Sequence, residues 1–280
     1  MILENKNIIL TGAGRGIGRE VAIKLSSEGA NLALISRTES ELVDTINTLK
    51  LKNTNTFYLT LDISDERQVE KSFHQVIERM QRIDCIINNA GVQSPIGPFH
   101  KVSLKDWKKN FDINLFGTAN CIYAVINKMI EQNRGKIINM SGGGSTSARP
   151  NFSAYGISKT AIVRFTETLA EELRNYKIDV NAISPGAINT KMLDEVIISN
   201  ENAGDEYLEA INRKEKGGND PKFATELIAY LCSDLSDGIT GKLISAPWDS
   251  WKGNDFQELL KNDKDIATLR RIDNKTFFKK

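Results

Sequence analysis

The chain predicts an α/β fold, a single doubly wound domain whose seven-stranded parallel sheet is covered by helices on both faces. Three observations carry that expectation. Short apolar runs alternate with longer stretches of helical periodicity, a glycine-rich turn follows the first apolar run, and no repeat, low-complexity tract or Pro/Gly linker divides the 280 residues. Strands alternating with helices call for a parallel sheet buried on both faces, joined by right-handed crossovers, with ligands at the carboxyl ends of the strands.

The strands are expected at 7–10, 31–35, 56–61, 84–87, 135–140, 179–183 and 242–245, each a short apolar run rich in β-branched residues or bounded by turn formers. Directly after the first comes Thr11-Gly12-Ala13-Gly14-Arg15-Gly16-Ile17-Gly18, then a helical stretch from Arg19. Glycines at such a turn allow positive φ and a close approach of backbone to a pyrophosphate, and the helix start offers free N–H groups to the anion. The second strand ends at Ser36-Arg37. A site for NAD(H) calls for a carboxylate there to bind the ribose 2′-hydroxyl. Ser36, Arg37 and Arg15 suit a 2′-phosphate, so NADP(H) is favoured over NAD(H). Farther on, Ile157, Ala161, Phe165, Leu169 and Leu173 recur in steps of four and mark a long helix. That helix carries Tyr155 and Lys159, four apart and so on one face, where an ammonium beside a phenol favours the phenolate and poises Tyr155 for proton transfer.

Two regions stand apart. Residues 191–220 are polar and helix-prone, end in the breaker run Lys216-Gly217-Gly218-Asn219-Asp220-Pro221, and suit either a surface helical excursion or, the favoured reading, a lid over a substrate pocket. The dinucleotide-binding and catalytic domain is taken as 1–252. The tail, 253–280, mixes charge with Leu259, Leu260, Ile266, Leu269, Ile272, Phe277 and Phe278, and suits either a loose terminus or an arm docking on a neighbouring subunit.

Bulk properties exclude several function classes. With 37 basic and 36 acidic side chains the formal charge is +1, which gives no electrostatic footprint for nucleic acid or an anionic membrane. The start of the chain is too short and polar for a signal peptide, and no apolar run approaches membrane-spanning length. Cys85, Cys121 and Cys232 are scattered and read as free thiols in a reducing cytoplasm, and His74 and His100 lack metal-ligand spacing, so no metal site is expected.

Taken together, these motifs resemble the short-chain dehydrogenase/reductase family over about residues 5–245, which implies a Rossmann-type domain and a nicotinamide cofactor. Thr11-Gly12-x-x-x-Gly16-x-Gly18 resembles the family's cofactor turn. Asp62-Ile63 resembles its adenine-contacting pair, and Asn89, Ala90 and Gly91 of Asn88-Asn89-Ala90-Gly91 resemble the stretch beside the cofactor. Pro185-Gly186-Ala187-Ile188-x-Thr190 resembles the segment that contacts the nicotinamide and a cofactor phosphate. Asn114, Tyr155 and Lys159 fall on catalytic positions. The resemblance implies that Tyr155 exchanges a proton with the substrate oxygen, that Lys159 lowers the Tyr155 pKa and binds the nicotinamide ribose, and that Asn114 links Lys159 to solvent through water. It also implies a homodimer or homotetramer.

One departure concerns the serine that the family places thirteen residues before the tyrosine to polarise the substrate oxygen. Gly142 stands there, in Ser141-Gly142-Gly143-Gly144-Ser145. Ser141 is the leading replacement, with Ser145, Thr146, Ser147 or backbone N–H groups as alternatives. A structural Ser141 that faces away from the pocket fits strand alternation equally well. In a second departure, the last strand runs into Pro247-Trp248-Asp249-Ser250-Trp251, whose tryptophans suit either packing anchors for the tail or a pocket wall. The expected function is NADP(H)-dependent interconversion of a secondary alcohol and a carbonyl on a small polar substrate such as a sugar or acyl derivative. The alternatives are a 3-oxoacyl-carrier reductase and a non-catalytic dinucleotide-binding sensor or assembly protein.

Overall fold

Parallel strands β1 (Asn7–Thr11), β2 (Asn31–Ser36), β3 (Phe57–Thr60), β4 (Cys85–Asn88), β5 (Gly135–Met140), β6 (Ile178–Ser184) and β7 (Leu243–Ser245) form one sheet in the order β3-β2-β1-β4-β5-β6-β7. The structure is a computed structural model that describes residues 1–49 and 55–272. Every expected strand is present, with ends that differ by at most one residue. The α-helices are α1 (Gly16–Ser27), α2 (Glu39–Thr48), α3 (Glu66–Met80), α4 (Leu104–Phe111), α5 (Gly117–Gln132), α6 (Ser153–Leu173), α7 (Lys191–Ile198), α8 (Glu206–Lys216), α9 (Pro221–Cys232) and α10 (Asn254–Asn262). No helix among the described residues is long and apolar enough to cross a membrane.

The chain builds outward from β1 to β3, then returns to place β4 on the other side of β1. That reversal opens a crevice beyond the carboxyl ends of β1 and β4, the place where doubly wound sheets bind ligands. Alternation within the strands fills two cores. Ile8, Leu10, Leu32, Leu34 and Ile87 meet α1 and α9 through Val21, Leu25, Leu227 and Ile228. Ile9, Ile35, Ile86, Ile137 and Val180 meet α3, α5 and α6 through Phe73, Val76, Val125 and Leu169. Cys85 and Cys232, far apart in sequence, lie with their sulfurs 3.4 Å apart in the first core as free buried thiols.

Residues 191–220 form a helical excursion: α7, a 3₁₀ turn (Asn200–Ala203) and α8. Its apolar side makes a small separate core in which Leu193, Val196, Ala203 and Ala210 surround Phe152, a fully buried residue just ahead of α6. The breaker run does what its composition requires. Gly217, at φ 93°, ends α8, and the Asp220 carboxylate accepts from Lys222 N–H at 2.8 Å to cap α9, which starts at Pro221.

The described part of the tail lies against its own chain. Leu243 N–H of edge strand β7 donates to Ala267 carbonyl at 2.7 Å, Lys242 donates to the Asp263 and Ile266 carbonyls, and Leu269 N–H donates to Glu167 of α6 at 2.6 Å. The two tryptophans part company. Trp251 is buried against Tyr230 and donates its indole N–H to Ala246 carbonyl, as a packing anchor, whereas Trp248 is 72% exposed. Phe277 and Phe278 lie outside the described residues.

Candidate active site

The glycine turn is held by hydrogen bonds from the neighbouring strand end. Thr11 Oγ1 accepts from the N–H groups of Asn89 and Ala90, both at 3.1 Å, and Asn89 Nδ2 donates to the carbonyls of Thr11 and Gly12. Gly12 adopts φ 67°, and a Cβ there would sit 2.8 Å from Ala90 Cα, so only glycine fits. A Cβ on Gly18 would run into the Gly12 carbonyl, so the first turn of α1 packs directly on the loop. Buried Thr45 on α2 donates its hydroxyl toward the Ala13 and Gly14 carbonyls at 3.0 and 3.2 Å, a brace the sequence did not reveal. Arg15 precedes α1 in extended backbone without a side-chain cap, and the first turn carries no acid. Its N–H groups therefore face the crevice, available to an anion. Half-buried Ile17 anchors α1 to the core, as Ile188 does for its segment. Thr190, at the start of α7, faces Gly16, where its Cγ2 would lie 3.6 Å from an added Cβ. Buried Pro185 and Gly186, the latter at φ 85°, turn the chain from β6 toward that contact. This cradle of glycines, an uncapped helix start and an approaching threonine suits a dinucleotide pyrophosphate.

At the end of β2, Ser36 Oγ accepts from Thr38 N–H at 3.2 Å. Arg15 and Arg37 are about half exposed, and each stands opposite a carboxylate: Arg15 is 3.1 Å from Glu41 and Arg37 is 3.9 Å from Asp62. Asp62 also accepts from Ser64, while Ile63 is buried and packs against Gly117. Glu41 is the residue that sequence reasoning missed here; it places a negative charge beside Arg15.

Asn114 lies in a π-helical turn (Asp112–Phe116) between α4 and α5, a distortion often found at functional sites. Its amide is fully engaged. Oδ1 accepts from Val92 N–H at 2.8 Å, and Nδ2 donates to Val92 carbonyl, Asn110 Oδ1 and Ser158 Oγ at 2.9 to 3.0 Å. Gly91 separates it from Lys159, since a Cβ there would sit 3.0 Å from Asn114 Oδ1 and 3.5 Å from Lys159 Nζ. Lys159 donates to Met140 carbonyl at 2.8 Å. Burial pulls its pKa down from 10.5 to about 8.

Tyr155 is buried beneath the glycine run, and Gly142 is what makes room for it. A Cβ on Gly142 would come closer than 3.0 Å to the Tyr155 hydroxyl and within 3.1 Å of Cζ. Burial raises the phenol pKa above its ordinary 10, Arg149 opposes that rise and Glu206 adds to it. Lys159 is itself desolvated, donates to Met140 carbonyl and stands 5.7 Å from the Tyr155 ring centre, and the Arg149 guanidinium stands 5.5 Å from it. Ser141 is buried with its hydroxyl unpartnered, and it is Gly142, not Ser141, that faces the phenol. Ser145 is buried, and Thr146 and Ser147 are exposed.

A model of the family "short chain dehydrogenase" matches residues 6–201. The chain belongs to the short-chain dehydrogenase/reductase family. It is therefore an oxidoreductase of a family that binds nicotinamide dinucleotides. Among curated relatives, it is 31% identical over 243 residues to the 3-oxoacyl-[acyl-carrier-protein] reductase FabG of Staphylococcus epidermidis, covering 86% of this chain and 96% of that protein. It is also 31% identical over 249 residues to that organism's diacetyl reductase [(S)-acetoin forming], with the same coverage. Among solved structures, NAD+-bound xylitol dehydrogenase superposes with a TM-score of 0.82 at 28% identity, covering 88% of this chain and 98% of that one. Levodione reductase superposes with a TM-score of 0.81 at 27% identity, covering 89% and 98%.

Proposed function

We propose that the chain is an NADP(H)-preferring carbonyl reductase acting on a small polar substrate, with Tyr155 as the proton donor. The observation that carries this reading is the buried phenol seated in the space left by Gly142, on the same helix face as Lys159. A phenol held above its ordinary pKa is protonated at neutral pH, the form needed to reduce a carbonyl. Two relatives named for carbonyl reduction favour the same direction.

In this reading, bound dihydronicotinamide supplies the hydride. Thr11, Gly12, Gly16 and Gly18 shape the pyrophosphate seat, with Asn89, Ala90 and Gly91 forming its inner wall. Ser36, Arg15 and Arg37 bind the 2′-phosphate, Asp62 and Ile63 border the adenine, and Pro185, Gly186, Ile188 and Thr190 line the nicotinamide end. Tyr155 gives its proton to the substrate oxygen. Lys159 binds the ribose and, through the Asn114 network, refills the phenol from solvent. Ser141 is the hydroxyl we assign to oxygen polarisation; its unpartnered Oγ supports this, and the glycines after it supply the backbone freedom to turn it inward. Residues 191–220 act as the lid. The protein works in the cytoplasm as a homodimer or homotetramer, which sedimentation at micromolar concentration checks.

The test is NADPH and NADH oxidation across a panel of ketones, sugars and acyl thioesters, including a 3-oxoacyl thioester. NADPH-linked turnover on small polar carbonyls supports the reading. Turnover confined to the 3-oxoacyl thioester would replace it with the acyl reductase alternative.

A further inference from the structure

Arg149 ties the loop ahead of α6 to α8 and takes no part in the cofactor site. It lies in the loop between β5 and α6, just beyond the glycines 142–144. Its guanidinium stacks on the Phe152 ring at 3.8 Å and stands 5.5 Å from the centre of the Tyr155 ring. A side chain on Gly143 would meet Arg149 first, at 3.6 Å. The fork is fully used. Nε and Nη2 donate to the two carboxylate oxygens of Glu206, both at 2.5 Å.

Glu206 is the first residue of α8, so this carboxylate reaches the catalytic loop from the lid. The pair is 57 residues apart in sequence and only partly exposed, at 17% and 29%. A planar carboxylate bound bidentately to arginine, beside the phenol, has the geometry of a bound anionic ligand. A Cβ on Gly143 or Gly144 would lie 3.6 or 3.2 Å from Arg149, and one on Gly142 would meet the Tyr155 hydroxyl, so the three glycines add no side chain at this spot. The lid that carries Glu206 rests on a small satellite core around Phe152, the kind of unit that opens at lower free energy than the main sheet.

We propose that Arg149 clamps an anionic group, carboxylate or phosphate, on the carbonyl substrate, and that the Glu206 carboxylate is the internal group this anion displaces from the fork. The inference rests on the reductase reading of the site. It narrows the substrate class to carbonyl compounds whose anionic group lies a few bonds from the reacting carbon. Exchange of one anion for another keeps the guanidinium neutralised throughout, and it leaves the phenol facing the same balance of charge. Loss of the Glu206 tether couples substrate arrival to lid movement.

The experiment uses NADPH-loaded full-length protein and two substrate pairs: 2-oxobutanoate with its methyl ester, and dihydroxyacetone phosphate with dihydroxyacetone. The anionic member of one pair should be preferred about 100-fold in kcat/KM, the discrimination a bidentate charge-assisted contact gives, and which pair responds distinguishes carboxylate from phosphate. Arg149→Gln should abolish the preference mainly through KM. Arg149→Lys should keep only part of it, because an ammonium lacks the fork. Glu206→Gln should raise the preference, about tenfold, by weakening the internal competitor. Neutral members reduced as well as anionic ones, with that ratio unmoved in Arg149→Gln, would overturn the clamp.

If neither pair is reduced, calorimetry with oxalate and with inorganic phosphate reads the clamp without turnover. Binding that strengthens in Glu206→Gln and vanishes in Arg149→Gln supports it, while no binding to wild type or Glu206→Gln overturns it. Should Arg149→Gln lose its helical circular dichroism, the Glu206→Gln comparison decides alone.

Discussion

Adding a single methyl group at residue 142 probes the feature that most separates this site from the family pattern. An alanine Cβ would overlap the Tyr155 hydroxyl, whereas ordinary contact begins near 3.4 Å, so the phenol must retreat by about 1 Å. The Gly142 backbone is not in the left-handed region, so the effect is steric and not conformational. A misplacement of about 1 Å costs about 100-fold in rate, so the substitution should cost about 100-fold. Forcing an extra carbon into the packed space should also destabilise the fold by about 1–3 kcal/mol. Gly142→Ala, and Gly142→Ser more strongly, should therefore lower kcat for the best carbonyl substrate and lower the urea midpoint, with NADPH affinity nearly unchanged. A Gly142→Ser variant that turns over faster than wild type would refute the reasoning. It would mean that the missing hydroxyl limits the reaction and that the phenol is free to move aside.

Lys159 has a folded pKa of about 8 against an ordinary 10.5, so below pH 8 the folded protein carries the full cost of a buried charge. As pH rises through 8 the folded state sheds that proton first, and the cost fades until the unfolded lysine also titrates near 10.5. The stability difference between Lys159→Met and wild type should accordingly move by about 2 kcal/mol in favour of wild type between pH 7 and 9.5; denaturant curves that run parallel across this range would contradict it. Glu41→Gln removes the carboxylate 3.1 Å from Arg15 and should shift the ratio of NADPH to NADH affinity about threefold toward NADPH, a modest effect because the pair is exposed. A shift toward NADH in fluorescence titration would count against a 2′-phosphate seat at Arg15. Phe152→Ala empties the centre of the lid core and should cost about 3–5 kcal/mol. Limited proteolysis should then cut within 191–220 before the sheet, and cleavage that starts elsewhere would show that Phe152 does not anchor the lid.

Most of the architecture was legible because buried parallel strands read as apolar runs and because a glycine turn between strand and helix has few other uses. All seven strands and the long helix bearing Tyr155 and Lys159 lie where periodicity placed them. What stayed hidden depends on side chains that meet across the fold. Thr45 reaches a loop some thirty residues upstream, Glu41 stands opposite Arg15, and Glu206 reaches Arg149 from another helix; none of these pairs has a spacing signature. The Tyr155–Lys159 spacing gave the shared helix face but not the electrostatics, because it is silent on the Met140 carbonyl that holds the ammonium and on the desolvation of both groups. The absence of a serine at 142 was plain in the sequence. That the space is taken by the phenol itself follows only from the packed structure.

The most direct test of the account is the Tyr155→Phe variant, in single-turnover reduction of the best carbonyl substrate found in the panel. Removing the hydroxyl leaves the ring packing against the glycine run and takes away only the proton donor. The rate of NADPH consumption should fall about 10²–10⁴-fold, with NADPH affinity within a few fold of wild type. A variant that reduces the substrate at the wild-type rate would contradict the assignment of Tyr155 and with it the proposed chemistry of the site.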